Sequence, residues 1–106
     1  MSSRRGNQRE NRVRDWYHDH GWFAMCGRAS RGPADVVACK AGDIHLTQVK
    51  SDASGPYDHF RPAERLLLLE TARQAGGTAH LAWWPPFAKA PTFIPWHEWP
   101  ALRAAA

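Results

Sequence analysis

The first clear pattern lies at residues 7–20, where Val13, Trp16, Tyr17 and His20 recur three and four positions apart. That is the period of a helix with one face turned inward. Asn7 is placed to cap it, with Glu10 three residues on as the partner in a capping-box pair, and Gly21 ends it. Glu10 falls on the face of Val13 and Tyr17, so its carboxylate needs a partner; simple capping is the alternative use. Residues 22–27 read as a strand and residues 28–32 as a polar, glycine-bearing loop. Residues 35–40 and 44–51 form two further strands with apolar positions on both faces: Val37, Cys39 and Leu46 on one, Val36, Ala38 and Val49 on the other. Burial on both sides belongs to central strands covered by helices. Residues 51–59 are rich in Ser, Gly, Pro and Asp and predict a mobile loop. A second helix spans 62–75, with Pro62 in its first turn and Gly76-Gly77 after its last. Leu66, Leu69 and Arg73 line one side of it, widened by Leu67 and Leu68. A strand at 78–84 stops at Pro85-Pro86, and a short edge strand at 92–94 precedes Pro95. Residues 1–6 read as a flexible basic arm and 100–106 as a tail. The order predicts an α/β fold, a central mixed β-sheet flanked by helices, in a single domain.

The hairpin at 35–51 concentrates the chemistry. With Gly42-Asp43 at the centre of a two-residue type II′ turn, Ala41 pairs with Ile44, Val37 with Gln48 and Asp35 with Lys50. Directly opposed residues share a face, so Asp35, Gln48 and Lys50 gather at one end of the sheet. A one-residue slip would send Asp35 to the other face and abolish the site. A carboxylate, an amide oxygen and an ammonium so placed can hold a divalent metal beside a phosphate.

Charge sharpens this picture. The 106 residues carry a formal net charge of +4, and Arg4, Arg5, Arg9, Arg12, Arg14, Arg28 and Arg31 all fall in the first third. Clustered arginine is a footprint for a polyanion, because its planar fork donates two bonds to a phosphate. The chain is long enough for one modest core but not for two. An apolar share of 43% argues against disorder. No apolar run approaches the roughly 18 residues of a membrane span, so a soluble, cytoplasmic protein is expected. Cys26 and Cys39 lack zinc-site spacing and read as buried thiols.

Other candidate groups add less. Of six histidines, only His18 and His20 are close in sequence, and two residues apart on a helix they face different directions. His59, in the loop before the second helix, is the histidine best placed to approach a nucleic acid. Ser30 has no His/Asp pair beside it, which argues against a serine nucleophile. Trp16 and Trp22 are assigned to the core. Trp83, Trp84, Trp96 and Trp99, interleaved with prolines, read best as a subunit interface, with core packing or base stacking as alternatives.

Taken in order, these pieces resemble the PD-(D/E)xK nuclease superfamily, and within it the small Holliday junction resolvases of archaea and some phages. The resemblance spans roughly residues 3–84. It rests on Arg5-Gly6 with Glu10, Ser30, Gly32-Pro33-Ala34-Asp35, Gln48-Val49-Lys50, and the helix from Pro62 to Gly77 followed by a hydrophobic strand. It implies a restriction-endonuclease-like core and a metal-dependent endonuclease that cleaves four-way DNA junctions. Asp35, Glu10 and the amide oxygen of Gln48 would hold Mg²⁺, with Mn²⁺ able to substitute. Lys50 would orient the attacking water, and Ser30 would bond the phosphate or place the strand. Arg4, Arg5, Arg9, Arg28 and Arg31 would grip the DNA backbone. A homodimer is implied, acting on branched DNA in the cytoplasm of a bacterial, archaeal or phage-infected cell, with no membrane partner. Two other readings remain open at this stage: a flap, nick or single-strand repair nuclease of the same superfamily, and a non-catalytic branched-DNA-binding module. Glutamine at position 48 departs from the usual glutamate and leaves the site with less negative charge.

Overall fold

The computed structural model describes residues 4–27 and 33–100, with residues 4–7 described by their backbone only. Its elements are helix α1 (Arg4–Asp19), strands β1 (Phe23–Cys26), β2 (Val36–Lys40) and β3 (Asp43–Lys50), helix α2 (Pro62–Ala75), and strands β4 (Thr78–Trp83) and β5 (Thr92–Pro95). A single 3-10 turn, Trp96–Glu98, follows. The five strands form one sheet in sequential order. Only β3 and β4 run parallel; the other neighbours are antiparallel. Helix α2 is the crossover that a parallel pair requires. This is the mixed α/β sheet that the order of elements predicts.

Alternation along the strands sorts the core into two layers. On one face Leu46, Leu81 and Ala79 pack with Leu68 and Ala72 of α2, and with Phe60 and Trp99. On the other, Val36, Ala38 and Ala82 pack with Val13 and Tyr17 of α1, and with Trp84. The site residues alternate onto the α2 face with Val37 and Leu46, while α1 covers the opposite face.

Several local expectations are corrected. The β2–β3 turn is Ala41-Gly42, flanked by the pair Lys40↔Asp43. Both central residues have positive φ, 49° and 90°, which is a type I′ turn and not type II′. Its twist matches that of the strands, and this outweighs the strain of an alanine in the left-handed region. Moving the turn back by one residue shifts the register by two. Every side chain therefore keeps its face, and Asp35 comes opposite Gln48 instead of Lys50. Helix α1 starts at Arg4, so residues 4–6 belong to it and Asn7 lies inside it, not at its cap. Gly6 costs the helix only about 1 kcal/mol relative to alanine, too little to stop it.

Helix α2 is also rotated from expectation: Arg65, Leu68 and Ala72 are buried, whereas Leu66 and Leu67 are half exposed and Arg73 is exposed. Burial of Arg65 is made possible by its bond to the Phe60 carbonyl and its stacking over Tyr57. The tryptophan interface largely dissolves. Trp84 and Trp99 are buried in the two core layers, Trp83 is half-buried with its indole N–H on the Asp52 carbonyl, and Trp96 alone of the four is exposed. Both cysteines are free thiols, half-buried and not fully buried. The loop at 51–59 is crossed by bonds from His59 Nδ1 to Asp52 Oδ1 (2.6 Å) and from Ser54 Oγ to Asp58 Oδ2 (3.0 Å). Among the described residues no helix is long and apolar enough to cross a membrane.

Candidate active site

Asp35 sits one step before β2, and its backbone continues the ladder: its N–H donates to the Thr47 carbonyl, and its carbonyl accepts from the Gly27 N–H. The side chain turns to the α2 face, where two donors meet its Oδ2. Gln48 Nε2 and the backbone N–H of Val49 each lie 2.9 Å away. Burial raises the carboxyl above the usual carboxylate range; the Val49 N–H and the Lys50 ammonium pull it back, and the charge of Glu64 pushes it up again. A partly buried carboxylate of this kind is primed to accept a cation.

Two residues beyond Gln48, Lys50 projects from the same face. Its backbone carbonyl takes the Trp84 N–H at 2.8 Å, which anchors the end of β3 to the strand leaving β4. Its ammonium reaches Glu64 Oε2 at 3.4 Å. Glu64 stands in the first turn of α2, where its other oxygen accepts the Arg61 N–H at 3.1 Å. Sequence reasoning missed Glu64. Its only local signal was a glutamate two residues after Pro62, where helix N-terminal glutamates commonly cap.

The expected site residues divide into three groups. Asp35, Gln48 and Lys50 are brought together. Glu10 lies on α1, the helix whose Val13 and Tyr17 pack over the opposite face. Its neighbour Asn11 accepts the Cys26 thiol at 3.5 Å, so the helix crosses the strand end that leads toward Asp35, and Glu10 Oε1 is buried there. Among the described residues no three His, Cys, Asp or Glu side chains are gathered as a metal group. Ser30, Arg28 and Arg31 lie outside the described residues, and the side chains of Arg4 and Arg5 are likewise undescribed. Arg9 and Arg12 flank the buried ring of Trp84, with their guanidinium carbons 5.8 Å and 4.7 Å from its centroid.

Hard oxygen donors suit Mg²⁺ or Mn²⁺, and the chemistry of Asp35 and Gln48 fits such an ion. Among the described residues Asp35 Oδ1 receives neither of the two bonds. Half a turn of the Gln48 amide exchanges its nitrogen for its oxygen beside Asp35, because the two ends are nearly isosteric. The set is lean in charge, with one carboxylate and one amide in direct contact.

A second polar cluster has no counterpart in the sequence reading. Tyr17 Oη lies 2.9 Å from Thr47 Oγ1 and 3.2 Å from His45 Nδ1, and burial pushes the phenol up to about 12. His45 stacks on His80 with ring centroids 3.9 Å apart. Tyr17, the His45 and Thr47 pair on β3, and His80 come from segments 28 or more residues apart in sequence and meet only because β3 pairs with β4 over the aromatic face of α1. His18 and His20 do face different directions, bonded to the Ala24 and Trp16 carbonyls respectively.

Comparison with known proteins places this arrangement. No curated protein matches the chain by sequence. Among solved structures, Hjc of the archaeal hyperthermophile Archaeoglobus fulgidus, a Holliday junction resolvase, shares the fold with a TM-score of 0.69 and 24% identity, over 81% of this chain and 72% of that one. The family model described as archaeal Holliday junction resolvase (Hjc) matches residues 1–98. With the Asp35, Gln48 and Lys50 site at the end of this sheet and a match over nearly its whole length, the chain belongs to the archaeal Holliday junction resolvase family.

Proposed function

We propose that the protein is a structure-selective endonuclease that cuts four-way DNA junctions by metal-dependent phosphodiester hydrolysis, acting as a homodimer on branched DNA. The observation that carries this reading is the convergence of Asp35, Gln48 and Lys50 at the ends of β2 and β3 in a chain of the resolvase family. Asp35, with Gln48 and Glu10, would hold Mg²⁺, with Mn²⁺ able to take its place. When bound, that ion lowers the pKa of a water and offsets charge on the scissile phosphate.

The chain's own residues do the rest. Lys50 stands on a strand fixed at both sides, so its ammonium is preorganised to orient the attacking water and to stabilise charge as it builds on the phosphoryl oxygens. Ser30, five residues before Asp35 in sequence, would bond the phosphate or place the strand. Arg4, Arg5, Arg9, Arg28 and Arg31 hold the backbone by sequence-independent contacts. A two-fold junction is matched by a two-fold protein. Exposed Phe23 and Met25 on edge strand β1, with Leu66 and Leu67 on α2, offer apolar surface for that pairing now that the tryptophans are drawn into the core. The cytoplasm of a bacterial, archaeal or phage-infected cell is the setting that suits this activity.

One observation favours a second reading. The Gln48 amide donates into Asp35, a closed arrangement that a non-catalytic junction-binding module could keep. The test is cleavage of a labelled immobile four-way junction with Mg²⁺, beside linear duplex and flap DNA, for wild type and Asp35→Asn. Paired symmetric cuts on the junction by wild type, lost by about 10²–10³-fold in the variant, are expected from the removal of one electrostatic contact to the reacting centre. Binding should survive in the variant and weaken with salt, because phosphate contacts supply it. Cutting of flaps alone would move the substrate to repair intermediates. Junction binding without cutting in Mg²⁺ or Mn²⁺ would establish the binding module, and an Asp35→Asn protein as active as wild type would dismiss this site.

A further inference from the structure

We propose that Glu64 is a working member of this site: it holds the Lys50 ammonium in position and supplies a further negative charge where glutamine at position 48 withholds one. The inference rests on the nuclease reading above and goes beyond it by naming a residue outside the hairpin. Two observations converge on it. Lys50 Nζ lies 3.4 Å from Glu64 Oε2, while both donors to Asp35 come from Gln48 and the Val49 backbone. The lysine is thus held by α2 and not by the metal-ligand candidate. Glu64 is also itself fixed, because Oε1 accepts the Arg61 N–H at 3.1 Å. The cap locks the helix-borne carboxylate in one orientation, and Lys50 is seated against it.

The physical need is plain. A divalent cation at Asp35 meets a neutral amide at position 48, where a carboxylate would add charge, and a lysine ammonium two residues along the strand. Without an added negative charge the lysine would repel the cation. Glu64 offsets the ammonium and leaves Asp35 free to face the ion. It is a positioning residue: it touches Lys50 and acts through it and through its charge.

The test measures Mn²⁺ binding to the full chain by the loss of the free-ion electron paramagnetic resonance signal, in wild type, Glu64→Gln, Gln48→Glu, the double variant and Asp35→Asn. Glu64→Gln keeps an oxygen for the Arg61 N–H, so the helix cap and the melting temperature should change little. Its Mn²⁺ affinity should fall by about tenfold, the low end of the cost found for groups that support metal ligands, and Gln48→Glu in the same chain should bring it back close to the wild-type value. Junction turnover by Glu64→Gln should fall while junction affinity stays at the wild-type value, a split that a capping role alone does not produce. If Glu64→Gln binds Mn²⁺ as wild type does, or if Gln48→Glu fails to restore it, the role of Glu64 is overturned while that of Asp35 stands. If Asp35→Asn also leaves Mn²⁺ binding unchanged, the metal site itself is wrong and the inference falls with it.

Discussion

The His45–His80 stack makes the fold sensitive to acid at the end of the sheet away from the site. His80 lies on β4 between Thr47 of β3 and Pro95 of β5, in an aromatic recess lined by Trp16, Tyr17, Trp22 and Phe93. Burial, followed by the neighbouring His45, lowers its pKa from 6.5 to about 4. His45 is lowered as well, chiefly by burial. The folded state therefore favours the neutral rings. Between pH 6.5 and about 4 the unfolded chain binds more protons, so stability rises with pH across that window and is lost as pH falls through it. A shift of about 2.5 units corresponds to roughly 3 kcal/mol, which screening at a partly exposed ring reduces to about 2 kcal/mol. For a domain of this size, 2 kcal/mol is roughly 10 °C in melting temperature. Thermal and urea unfolding of wild type and His80→Gln at pH 7.5 and pH 4 measure it. Other carboxylates titrate in both proteins and cancel in the comparison. Wild type should lose about 2 kcal/mol more than the variant over that interval. Equal losses would refute the claim that this buried imidazole is held neutral.

Two further substitutions test the frame around the site. Ala41→Asn replaces an alanine at φ 49° with the residue a type I′ turn prefers; a gain of about 0.5–1 kcal/mol in chemical denaturation is expected, and a loss would contradict the turn. Gly27→Ala would put a Cβ 2.8 Å from the Ala34 carbonyl oxygen, against the backbone that leads to Asp35. It should cost about 1–3 kcal/mol by overpacking and slow junction cleavage without altering salt-dependent DNA binding. A variant with wild-type melting and cleavage would show that this contact does not position Asp35.

The elements themselves were legible in the chain because each rests on local patterns. The 3.6-residue period of Val13, Trp16 and Tyr17 marks α1, Pro62 and Gly76 bracket α2, and two-sided apolar strands mark the centre of the sheet. The trio Asp35, Gln48 and Lys50 was legible for a related reason. The period of a strand is two, so a turn misplaced by one residue changes the partners but not the faces. What local pattern could not decide was rotation and long-range company. The four leucines and three alanines of α2 left its buried face open, and only the sheet beneath it selected Leu68 and Ala72 and drew Arg65 inward. Trp84 and Trp99 look like surface ornament beside prolines until two layers of core close over them. Tyr17, Thr47, His45 and His80 meet through the parallel pairing of β3 with β4, a contact created by a crossover helix and invisible along the chain. Glu64 belongs to the same class: a capping residue by sequence, it becomes a neighbour of Lys50 only when α2 packs over the end of β3. The chain alone settles which residues face together within a hairpin, because pleating is local; tertiary packing settles which charges meet across elements, because that depends on where whole helices come to rest.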